Sequence, residues 1–229
     1  MSFPILELIL FTAIFSILNQ PILEISPSKS YSNLHWGIQN VFLFLIFVIA
    51  TVLSRNFAGS YAKGEIKMLL SYPVKRWQLF FSKFMAMFLM FCTIYGAIFS
   101  FQIYLNSINP LEPMFFISLL GMFLQILLMS SIVVAVSLIV KNEIVSILSS
   151  ILILYGIDSV VVAGSYFNAT GRFKIVFGYY GYLTHGALPT AIMTFPRLEE
   201  VFFAFSIPII ISTLLLIISL VYFRKIEVD

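Results

Sequence analysis

The side chains that could do chemistry in this sequence are few and scattered. Glu7, Gln39, Asn40, Gln125 and Asp158 lie within or beside long apolar runs, and His35 and His185 lie in the polar segments between them. Glu7 falls about 6 Å into its run at 1.5 Å per residue, close enough for its carboxylate to reach back to an interface. Gln39 and Asn40 fall near the mouth of a second run, Gln125 near the middle of a fourth and Asp158 toward the far end of a fifth. Buried amides of this kind either line a polar pathway or hydrogen-bond a neighbouring helix, and both readings stand for Gln125. No G-x-x-x-x-G-K-[ST] loop is present, so the chain cannot cradle and hydrolyse ATP by that route. H-E-x-x-H and G-x-S-x-G are missing as well, and neither histidine has partners at a ligand spacing. No catalytic or metal-ligating set is expected. The single cysteine, Cys92, forms no intramolecular disulfide and reads as a packing residue. Asn168-Ala-Thr170 is a glycosylation sequon, marking Asn168 as a candidate acceptor.

What must position these residues is a set of membrane helices. Hydrophobic residues make up 61% of the 229 and charged residues 10%, against about 45–50% and about 25% in soluble domains. The net charge of +3 is small and dispersed, which argues against a nucleic-acid partner. A hydrocarbon core of about 30 Å takes about 20 helical residues. Six runs meet that length: 3–23, 36–53, 84–105, 114–140, 144–163 and 201–223. Residues 1–229 therefore read as one all-α integral membrane domain. Ser118, Gly121 and Gln125 share a face of the fourth run, and Ser146, Ser149 and Ser150 give the fifth a small-residue face that lets another helix approach. Pro208 could kink the sixth. The stretch 164–200 is an outer aromatic loop, broken by Phe177-Gly-Tyr-Tyr-Gly-Tyr182 and suited to a headgroup belt or an outer cap.

Between the second and third runs, 54–83 gathers much of the charge. Within it, 60–71 has the makings of a short helix: Tyr61, Ala62, Ile66, Leu69 and Leu70 are apolar, while Lys63, Glu65 and Lys67 are polar. Gly64 inside so short a helix costs about 1 kcal/mol relative to alanine and suggests a close approach. Pro73 stops the helix. The order Gly64-Glu65, Leu69-Leu70-Ser71, Pro73-Val74, Arg76 resembles the first cytosolic loop of type-2 ATP-binding-cassette (ABC) exporter permeases. Many members carry an acidic residue shortly before the glycine, where this chain has Gly59, Ser60 and Lys63. The resemblance implies a coupling helix built from Tyr61, Gly64, Glu65, Ile66, Leu69, Leu70, Ser71, Pro73 and Arg76. It also implies docking on a separate ATPase subunit that binds the ATP and Mg, and a second permease chain, identical or related, completing the pathway. A surface-lying amphipathic helix is the alternative for the same stretch.

Placing that loop inside puts nine basic residues in the cytosol: Arg55, Lys63, Lys67, Lys75, Arg76, Lys83, Lys141, Arg224 and Lys225. Lys29, Arg172, Lys174 and Arg197 remain outside. This positive-inside bias supports six spans in the cell membrane with both termini cytosolic. The favoured function is a transport subunit, with the substrate unreadable. A non-transporting membrane anchor or signalling subunit is the second reading, and an intramembrane enzyme using Asp158, Glu7 or His185 the third.

Overall fold

The computed structural model describes residues 44–71, 74–105, 113–166 and 198–225, and all of their regular structure is helical. The first expected span, Gln39, Asn40, Pro73, Asn168 and most of the outer aromatic loop lie outside the described residues. Six helices are named here in chain order. They are α1 (Phe44–Ala62, its described part), α2 (Glu65–Leu70), α3 (Arg76–Leu105), α4 (Pro113–Val140), α5 (Glu143–Tyr166) and α6 (Leu198–Lys225). Among the described residues four helical stretches are long and apolar enough to cross a membrane, Phe44–Ala62, Arg76–Ile98, Met122–Val140 and Ser206–Lys225, with Glu143–Ile157 a shorter apolar one.

The ends of α4, α5 and α6 fall within about three residues of the sequence expectation, because each apolar run is bounded by turn-forming or charged residues. The expected 54–83 loop differs. Helix α1 runs on to Ala62 and α3 begins at Arg76 rather than Phe84. What separates them from α2 is only the turn at Lys63 and Gly64 and the stretch from Ser71 to Lys75.

The reason at α1 is burial: Phe57 and Ala58 are enclosed, so the apolar contact continues past Leu53. Arg55–Gly59 forms a π-helical turn, with the Ser60 amide donating to the Arg55 and Phe57 carbonyls. At α3 the reason is a cap. Gln78 reaches back so that its Oε1 accepts from the Lys75 amide at 3.2 Å, while the Gln78 and Leu79 amides donate to the Lys75 carbonyl. Helix α6 runs through Pro208 without ending there.

Helix α4 sits at the centre, packing most closely with α6 and also with α5 and α3. Its Ile126, Met129, Val133, Val134 and Leu138 join Ile46, Val48, Ile49, Val52, Leu53 and Phe57 of α1 in the core. The outer helices keep large apolar side chains on their free faces: Met85 and Leu89 on α3, Leu148 and Leu152 on α5, Ile210, Leu214 and Ile217 on α6. Apolar on both faces, they suit lipid rather than water.

Candidate functional site

Five kinds of contact converge on one end of the bundle, around α2. Gly64 has φ 72, and a Cβ added there would meet nothing within 4 Å. The glycine is therefore required by the left-handed backbone and not, as the sequence suggested, by a close neighbour. That backbone ends α1: the Lys63 amide donates to the Gly59 carbonyl and the Gly64 amide to the Tyr61 carbonyl, both at 3.0 Å. The chain then re-enters a helix, with the Met68 amide donating to the Gly64 carbonyl at 3.3 Å. Glu65 opens α2 and accepts from the Ser60 hydroxyl at 2.7 Å, which clamps α2 against the end of α1.

The apolar residues of α2 divide. Ile66 is 3% exposed and belongs to the chain's own core, whereas Met68 is 63% exposed. Leu69 is half-buried. Ser71 is exposed, and its hydroxyl donates to the Met68 carbonyl at 2.7 Å, closing the last turn. Of the expected coupling set, Ile66 therefore serves the internal packing, and Met68, outside that set, is the most exposed apolar side chain of α2 among those described. The Leu70 side chain and Pro73 lie outside the described residues.

Around α2 the helix ends are tied together. Arg76 Nη1 donates to the Arg224 carbonyl at 3.1 Å, joining the start of α3 to the last turn of α6, where a cation offsets the exposed carbonyl dipole. Phe80 of α3 packs between Phe57 of α1 and Phe223 of α6, with ring centroids 5.8 and 5.7 Å away. Lys83 Nζ donates to the Asn56 carbonyl within the π turn at 3.2 Å, and the Asn56 side-chain Nδ2 donates to the Val52 carbonyl at 2.8 Å.

The junction of α4 and α5 closes the other side. Lys141 has φ 54 and its amide donates to the Ser137 carbonyl, ending α4. Asn142 caps α5, its Oδ1 accepting from the Val145 amide at 3.2 Å. Lys141 Nζ stands 4.9 Å from the centre of the Tyr61 ring and donates to its hydroxyl at 3.5 Å. Gly59 faces Glu143 so closely that a Cβ there would lie 2.7 Å from Oε2. Behind these, Ser54, Ser137 and Ser146 form a buried hydroxyl triangle. Ser146 Oγ lies 2.9 Å from both Ser54 Oγ and Ser137 Oγ, and Ser137 Oγ stands within donating distance of the Val133 carbonyl at 2.7 Å and of Ser54 Oγ at 3.3 Å. The sequence marked Ser146 as a small residue, but nothing in it disclosed Ser54 or Ser137 as partners.

Of the candidate pathway residues, only the Gln125 side chain falls among the described residues. Gln125 is buried within its own chain, and its Nε2 has no hydrogen-bond partner among the described residues. Asp158 lies on α5, its side chain outside the described residues. A Cβ added at Gly96 would lie 3.4 Å from the Phe123 ring, an ordinary contact, so the approach of α3 to α4 there does not depend on glycine.

A bundle of long helices that are apolar on their outer faces, interrupted at one end by a short helix, defines a multi-pass membrane protein. The ABC-2 family transporter protein profile matches residues 1–159, and the chain belongs to that family, whose members are the membrane permease components of ABC transporters. Comparison with curated proteins and with solved structures finds no match.

Proposed function

We propose that this chain is the transmembrane subunit of an ABC exporter, pairing with a second permease chain to form the substrate pathway. Helix α2 acts as the coupling helix on the cytosolic side, and both termini are cytosolic. A separate ATPase subunit docks there, binding the ATP and Mg and supplying the energy.

The observation that carries this reading is the family match over 1–159, which spans the short helix between two long apolar ones. Among its described side chains, Met68 projects, Leu69 is half-available, Glu65 is exposed while holding Ser60 of α1, and Ile66 is turned to the chain's own core. That division suits a docking element: one face holds the helix on the bundle and the other is left for a partner.

The test is affinity purification of the tagged permease from its native membrane. An ATPase subunit carrying a P-loop is expected in stoichiometric yield. A permease recovered without any ATPase, from cells that make it normally, overturns the assignment.

A further inference from the structure

Lysine is an unfavourable residue for the backbone it occupies at position 141. With φ 54 it stands in the left-handed region, where glycine or asparagine ends a helix at least cost. Asn142, one residue on, is used to cap α5 instead. A long cationic side chain held against its backbone preference points to a use for that side chain. Its ammonium lies against Tyr61, the neighbour of Ser60, and Ser60 is hydrogen-bonded to Glu65 of α2. Glu143, the first residue of α5, fills the space beside Gly59. Two side chains of the α4–α5 junction thus bear on the last turn of α1 where α2 is clamped. The covalent route from α2 to α3, by contrast, runs through the sequence from Ser71 to Lys75, which contains Pro73.

We propose that Lys141 and Glu143 are positioning residues that carry displacement of α2 to α5, through Tyr61 and Gly59, in parallel with the chain connection to α3. This rests on the docking of an ATPase at α2 proposed above. The buried hydroxyl triangle of Ser54, Ser137 and Ser146 keeps α1, α4 and α5 in register directly behind the contact, so a push on Tyr61 is not dissipated by sliding between them.

The experiment uses the intact permease–ATPase complex in lipid nanodiscs. Spin labels are attached at Leu148→Cys on α5 and Ile217→Cys on α6, both outward-facing, in a Cys92→Ser background. The distance between them is read without nucleotide and after trapping with ATP and vanadate. The expected result is a nucleotide-dependent change in the otherwise unsubstituted chain that Lys141→Arg keeps. Lys141→Gly and Lys141→Met lose it while retaining the same amount of ATPase. Lys141→Gly relieves the backbone, so a folding defect does not explain its loss. A Lys141→Gly chain that moves as the parent does overturns the inference. So does a parent that retains its ATPase yet shows no α5–α6 change. Reduced ATPase retention with the distance change intact in the bound fraction also overturns it, making Lys141 a docking residue. A parent that retains no ATPase at all overturns the proposed function instead, and this inference falls with it.

Discussion

At the residue scale, the side chains that matter are explained by backbone conformation and burial more than by reactivity. Gly64 is the clearest case. Because nothing among the described residues lies within 4 Å of a Cβ placed there, the expected cost of Gly64→Ala is the conformational one, about 1–2 kcal/mol for a left-handed residue. The expected outcome is a lowered thermal midpoint in detergent for the alanine variant and a smaller loss for Gly64→Asn, since asparagine tolerates that region. Equal losses would show that the side chain, not the backbone, is what the site rejects. Gln125 makes the opposite point. Enclosed in α4 with Nε2 unpaired among the described residues, it bears the desolvation cost of a buried donor, about 1–3 kcal/mol. Gln125→Leu should therefore match or exceed the parent in thermal stability and leave transport unchanged. Loss of transport at undiminished stability would place Gln125 in the pathway.

At the element scale, α2 is too short for periodicity to say which of its faces is inward. Its six residues make fewer than two turns, and Ile66, Leu69 and Leu70 all looked equally suited to a partner. The structure separates Ile66 from Met68, and the separation is measurable. Ile66→Ala opens a cavity in the chain's own core and should cost about 2–5 kcal/mol of permease stability. Met68→Asp leaves that core intact. If the exposed methionine enters a groove on the ATPase, losing its burial removes about 1.5–3 kcal/mol, or at least about tenfold in docking affinity. The measurement is ATPase retained per permease on purification alongside the thermal midpoint of the permease alone. A Met68→Asp chain with full retention would remove α2's outward face from the docking surface.

At the scale of the whole molecule, the helices near α2 are held together by contacts distant in sequence, while their outer faces, among the described residues, are mostly apolar. Arg76 with Arg224, Phe80 with Phe57 and Phe223, and Lys141 with Tyr61 bring four helix ends to one place. In the proposed orientation that end is cytosolic. A cysteine introduced at Ala62, exposed beside the turn at Lys63 and Gly64, should then be silent to an impermeant thiol reagent in intact cells and react after permeabilisation. Labelling before permeabilisation would invert the topology and move α2 away from any cytosolic ATPase.

Membrane residence and the extents of α4, α5 and α6 were legible in the residues alone, because a run of apolar side chains about 30 Å long has few alternatives to a lipid-crossing helix. The break at Gly64 was not: the residues read as one short helix over 60–71 with Gly64 inside it, and it is the left-handed backbone at Gly64 that divides α1 from α2. The reach of α1 and α3 into the charged stretch was not legible either. Arg55, Asn56 and Lys83 read as loop residues by charge, yet Asn56 and Lys83 are satisfied by bonds to Val52 and across to each other's helix, and Phe57 and Phe80 are buried beside them. Such polar residues end a helix only when water is their best partner, and here the fold supplies another. The same holds for Lys141 and Glu143. In the sequence they are a short polar turn between two apolar runs, and only the packing of α5 against the π turn of α1 sets them against Tyr61 and Gly59. Local composition decides which segments leave water. Which polar groups then meet depends on contacts between helices, from 27 positions apart for Lys83 and Asn56 to 92 for Ser146 and Ser54, and no local pattern encodes those.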